Sequence, residues 1–130
     1  MELTNILTGD VEPVVRRDSG CEGMEVALVT RPDGAVIYSK TEGELTQEIY
    51  DAPWNVGCAF VRPAYVPVLI EALPAAVGEA GCGSLGDALR NFFADEERMP
   101  SDLLDLLDAR AIPYSYRTFN TYAALFRPEE

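Results

Sequence analysis

Two apolar runs around a short polar break give the chain its clearest local signal. In "MEVALVTRPDGAVIYSK", residues 24–40, β-rich stretches flank Arg31-Pro32-Asp33-Gly34. Proline presets the second turn position and glycine is free to take positive φ, so the pattern predicts a hairpin pairing 24–30 with 35–40. In the first run Val26 and Leu28 share one face while Ala27 and Val29 share the other, which predicts a central strand covered on both sides. "GELTQEIYDAP" reads as a short helix ended by Pro53, and "NVGCAFV" as a buried strand over 56–61.

Beyond Pro63 the period lengthens. The pattern to about Ala80 is helical, with Pro63 and Pro67 tolerable near a start and Pro74 forcing a kink or a second start. Ser84 is expected to cap a helix through "LGDALRNFFADEE" whose apolar stripe is Leu85, Ala88, Leu89, Phe92 and Phe93. A further helix over "SDLLDLLDAR" takes Ser101 as its expected N-cap. Leu103, Leu104, Leu106 and Leu107 fall on one side and Asp102, Asp105 and Asp108 on the other.

Asp102 is favoured at the positive end of the helix dipole. Asp105 and Asp108 have no such local reason, because Asp is a poor interior helix residue by a few tenths of a kcal/mol and an anion near the C-terminal end is unfavourable. "IPYSYRTF" and "YAALF" read as strands, with Tyr114, Tyr116 and Tyr122 as sheet-packing residues. Strands and helices mix without a regular βαβ alternation. The expected fold class is α+β: a single domain over 1–130, with a mixed or largely antiparallel sheet and helices packed on it.

Composition agrees with a folded chain: 130 residues, 48% hydrophobic and 25% charged. The start, "MELTNILTGD", lacks the basic and apolar regions of a secretion signal, so the mature chain is expected to begin near Met1. The most apolar stretch carries Arg62, Glu71 and three prolines, which argues against a membrane span. Cys21, Cys58 and Cys82 are odd in number and lack CxxC spacing. They suit a reducing compartment, so three free thiols and a cytoplasmic location are expected.

Charge changes the picture more. The net charge is −12, and its distribution is uneven. Residues 79–108 hold eight acids against Arg90 and Arg98, a net of −6; residues 42–51 hold four acids and no base, a net of −4. Side by side, these segments would form an anionic face able to steer a cationic partner. The expected partner-binding residues are Asp95, Glu96, Glu97, Asp102, Asp105, Asp108, Glu44, Glu48, Asp51 and Trp54. Trp54 is read either as a core plug or as an interface anchor. Bases are scattered except at Arg16 and Arg17, which disfavours direct nucleic-acid binding, and repulsion from phosphate disfavours anionic membranes.

Little else suggests chemistry. Gly81-Cys82-Gly83-Ser84-Leu85-Gly86 is a literal GxGxxG, but a stretch that reads helical precedes it where a dinucleotide fingerprint needs a strand. The chain has no histidine, so Cys-His and Ser-His nucleophile systems are excluded. The three aspartates match no EF-hand loop, and Lys40 reads as solvated. No catalytic, cofactor-binding or metal-ligating residue is assigned, no cofactor is expected, and an enzyme is disfavoured. The leading expectation is a small acidic protein-binding module resembling, by class alone, immunity proteins or antitoxins that occlude a basic toxin. The alternative is a small phosphate-ligand or nucleotide-binding protein, or an enzyme, using the glycine turn 81–86.

Overall fold

The computed structural model describes residues 9–73, 84–120 and 124–128. Its hairpin is longer than the apolar pattern: β2 spans Glu22–Arg31 and β3 spans Gly34–Gly43, joined by Pro32 and Asp33. Gly34 takes φ 148°, and a Cβ there would run into the Val61 carbonyl and the Phe60 ring. Conformation and close approach both require glycine. Strand β1, Asp10–Ser19, pairs with β2, and β4, Trp54–Val61, pairs with β3. β5, Ser115–Asn120, and β6, Ala124–Arg127, complete one six-stranded sheet in the order β1-β2-β3-β4-β5-β6, antiparallel throughout.

The apolar pattern did not announce β1. Its register shifts between Pro13 and Val15, and such a bulge breaks the period of two by which a strand is recognised. Proline inside the run points the same way, yet β1 is an edge strand, where a missing donor is tolerated.

Among the described residues four helices accompany the sheet: α1, Glu44–Tyr50; α2, Val66–Ala72, entered through a 3-10 turn at Pro63–Tyr65; α3, Leu85–Phe93; and α4, Pro100–Ala109. The first ends before Pro53, at Asp51, whose φ of 54° takes the chain out of the helix. The expected kink or restart at Pro74 lies outside the described residues.

Ser84 caps α3 as expected, accepting from the Asp87 N–H at 3.1 Å. Contrary to the sequence pattern, α3 stops at Phe93 and does not continue through "ADEE". The Arg17 guanidinium of β1 donates to the Phe93, Asp95 and Arg98 carbonyls at 2.7, 3.0 and 2.6 Å, tying the chain into a turn where further helix would have run. The N-cap of α4 is Met99 and not Ser101. Pro100 takes the first helical position, for which its fixed φ suits it. Asp102 then reaches back to accept the Met99 N–H at 2.7 Å.

Helices α2, α3 and α4 share one core with one face of the sheet. Met24, Val26, Leu28, Ile37 and Val61 meet Leu69, Leu89, Phe92, Phe93, Leu103 and Leu107 there, and each fully buried leucine contributes about 2 kcal/mol. On the other face Val29, Val36, Val56 and Cys58 are buried among half-buried Tyr38, Trp54, Phe60 and Phe119. Strand β2 is therefore central, with Val26 and Leu28 in one cluster and Val29 in the other, as its unbroken apolar run implies. The class is α+β. Among the described residues no helix is long and apolar enough to cross a membrane.

Candidate functional site

The acids expected to bind a partner fall into two groups. Asp95, Glu96 and Glu97 occupy the turn between α3 and α4 that Arg17 holds, and Asp102, Asp105 and Asp108 follow along the outer side of α4. All six are exposed except Asp95, which is half-buried and pairs with Arg98 at 3.8 Å. The second group lies on α1 and the chain leaving it: Glu44, Glu48 and Asp51 are exposed, and Trp54 opens β4. The turn between α3 and α4 and the start of α1 lie near the end of the sheet where β1 turns into β2, whereas α4 runs from there toward the opposite end, where Asp108 meets Tyr114 just before Ser115 pairs with Phe60. Arg17 pairs with Met24 across that turn, and Glu44 N–H donates to the Cys21 carbonyl within it. Among the described residues no hydrogen bond or ion pair joins the two groups.

The aspartates of α4 differ in kind. Asp102 closes the helix start. Asp108 accepts the hydroxyl of buried Tyr114 at 3.0 Å, which supplies the reason that helix chemistry alone does not give. The Asp105 side chain makes no hydrogen bond or ion pair with a described residue. Neither do those of Glu48 and Glu96, and Glu44, Asp51 and Glu97 form no ion pair with one. By contrast Glu12, Asp18, Glu25, Asp33, Glu42 and Asp87 each face a base within 4 Å. Lys40, expected to be solvated, is half-buried and sits 3.9 Å from Glu42.

Helix α1 holds an arrangement that the sequence pattern concealed. The only buried side chain among its described ones is polar: Thr46, 1% exposed, whose N–H and hydroxyl both donate to the Glu22 carboxylate at 3.0 and 2.7 Å. Leu45 and Ile49 point outward, 54% and 62% exposed. An apolar i, i+4 pair ordinarily reads as the inward stripe of a helix. Only the bond from Thr46 to a strand residue 24 positions away reveals the reversed orientation. Trp54 is half-buried against the Val29, Val36, Val56 and Cys58 cluster, so part of it is core.

At the glycine turn, residues 81–83, including Cys82, lie outside the described residues. The described remainder, Ser84 to Gly86, meets a carboxylate: a Cβ at Gly86 would lie against that of Glu12. Arg90 donates to Glu12 at 2.9 Å and to Asp87 at 2.8 Å. Those bonds hold the Arg90 guanidinium above its usual range, Asp87 first and Glu12 second, while the Asp87 carboxyl is lowered by Arg90 and then by Ser84. A cavity of about 420 Å³ adjoins this helix start, lined mainly by Leu28, Ala35, Val66, Leu85 and three prolines. Glu12 and Arg31 also line it, each already held in an ion pair, with Arg90 and Asp33 respectively.

Of the two described cysteines, Cys58 is buried and Cys21 exposed. The Cys21 thiol is raised above its ordinary value, chiefly by its hydrogen bond to Glu44, which works against a reactive thiolate. Among the described residues no buried side-chain polar atom lacks a partner, and no group of three His, Cys, Asp or Glu residues is placed to hold a metal ion. Comparison of the chain with protein families, with characterised proteins and with solved structures finds no match.

Proposed function

We propose that this protein is an acidic protein-binding module that occludes a basic partner, in the manner of an immunity protein or antitoxin, within the cytoplasm. The observation that carries this reading is the sorting of its acids. Glu12, Asp18, Glu25 and Glu42 along the strands and Asp87 at the start of α3 face bases, whereas Glu44, Glu48, Asp51, Glu96, Glu97 and Asp105 are exposed and unmatched by any described base, as are the more isolated Asp10 and Glu71. Unpaired carboxylates repel one another and cost folding stability through self-repulsion. A cationic surface relieves that repulsion on binding and is drawn in faster by the field.

The phosphate-ligand reading of the glycine turn is weaker. A phosphate at the start of α3 would have to displace or face the Glu12 carboxylate, which already lies over Gly86 and is held by Arg90.

The test compares immobilised wild type with a variant carrying Glu96→Lys, Glu97→Lys and Asp105→Lys, each exposed to proteins of the native source at low and high salt. The expected result is a stoichiometric basic protein retained by wild type at low salt, weakened by salt and lost from the variant. Retention of the same proteins by both would refute the reading.

A further inference from the structure

The structure assigns a second role to α1: we propose that its outward face, Leu45 and Ile49 within a rim of Glu44, Glu48 and Asp51, is the anchor that seats in an apolar depression flanked by bases on the partner. This deepens the binding function proposed above and rests on it. Three features support it.

The first is the inverted orientation of the helix. A helix of seven residues is too short to be stable on its own and depends on what it buries, yet α1 buries Thr46 and presents Leu45 and Ile49 to solvent. The orientation is also fixed. Gly43 takes φ 130° where a Cβ would collide with the Cys21 carbonyl, Glu44 N–H bonds that same carbonyl at 3.0 Å, and both donors of Thr46 hold the Glu22 carboxylate. Rotating α1 to bury its apolar pair would break these bonds and strand the Glu22 charge.

The second feature is spacing. Residues four apart stand one above the other on a helix face, so Leu45 and Ile49 form one apolar stripe, the anchor pattern of a helix that lies in a groove. Val11 is the only other described large hydrophobic residue as exposed as these two. It lies by itself on an edge strand.

The third feature is charge. Three exposed acids border the stripe, and α1 contains no base. The complementary surface is therefore cationic around an apolar centre, as interface hot spots are apolar within a polar rim. A second copy of the chain would bring like charges together, and a lipid surface offers no cationic rim.

The test uses the full chain and a synthetic cationic amphipathic peptide of Leu and Lys, titrated at low salt by calorimetry. Four proteins are compared: wild type, Leu45→Ser with Ile49→Ser, Glu48→Lys, and Asp105→Lys. Because all the altered residues are exposed, each variant is expected to unfold at or above the wild-type temperature. The expected result is saturable binding that weakens about tenfold or more in the double serine variant and in Glu48→Lys, with a smaller loss in Asp105→Lys, which reduces the anionic field but takes nothing from the stripe. Equal affinity of the double serine variant and wild type overturns the assignment, as does an absence of saturable binding. A loss confined to Asp105→Lys also overturns it, leaving the broader binding function standing on α4. Sedimentation showing wild-type dimers abolished by the double serine change would reassign the face to self-association. Leu45- and Ile49-dependent binding to neutral phosphatidylcholine vesicles would reassign it to lipid.

Discussion

At Asp108 a carboxylate that helix chemistry disfavours accepts a hydrogen bond from the hydroxyl of a buried tyrosine. This separates it from Asp105, with which sequence spacing groups it. Asp108→Lys is expected to lose the 3.0 Å bond from Tyr114 and to cost about 1 kcal/mol, whereas Asp105→Lys should leave stability unchanged or slightly improved. Urea midpoints of the two single variants check this directly. A second residue pair lies on the far face of the sheet, where Tyr38 and Cys58 stand opposite each other in register. Burial pushes the Cys58 thiol from 9.0 up to about 12, and burial, followed by the Glu25 charge, pushes the Tyr38 phenol from 10.0 up to about 12. The folded protein therefore keeps protons that the unfolded chain releases between those values. Stability should be fully present below about pH 9 and fall as pH rises toward 12. Thermal unfolding across that window measures the fall, which Cys58→Ala should lessen.

At the level of elements, what could be read from the sequence depended on where each contact lay. The hairpin at 24–40 is governed by its own turn, and the stripe of α3 by its own period, so both were legible. The end of α3 was not, because the group that stops it, Arg17, comes from β1 more than 70 residues earlier. Arg17→Ala should remove three bonds from the turn at 94–99 and cost about 2 kcal/mol, with faster amide exchange there; a midpoint shift confined to a few tenths of that would show the turn holds without it. The end of α4 offers the opposite sign. Ala111 takes φ 55°, while its N–H reaches the Asp108 carbonyl and that of Ile112 the Leu107 carbonyl, a helix ending that glycine occupies without strain. Ala111→Gly should raise stability by about 1 kcal/mol, read from the same denaturation curves.

Across the whole molecule, the uneven charge was visible in the sequence, but its meaning required the pairing pattern. Counting acids in 79–108 treats Asp87, Asp95 and Asp108 like Asp105, although the first two face arginines and the third a tyrosine. The outward orientation of Leu45 and Ile49 has no local signal, because the contact that orients α1, Thr46 to Glu22, is tertiary. What remains exposed and unmatched among the described residues is a smaller set of acids, those of α1 bordering an apolar stripe, and the proposed cationic partner is inferred from them. The deciding measurement is the association rate with the basic protein retained from the native source, for wild type and for Glu48→Lys with Asp105→Lys. It is followed from about 0.01 M to about 0.15 M ionic strength, over which the screening length falls from about 30 to about 8 Å. Docking through this surface requires the variant to associate at least about tenfold more slowly at low salt, with the gap closing as salt rises and folding unaffected. Superimposable curves at every ionic strength would contradict it.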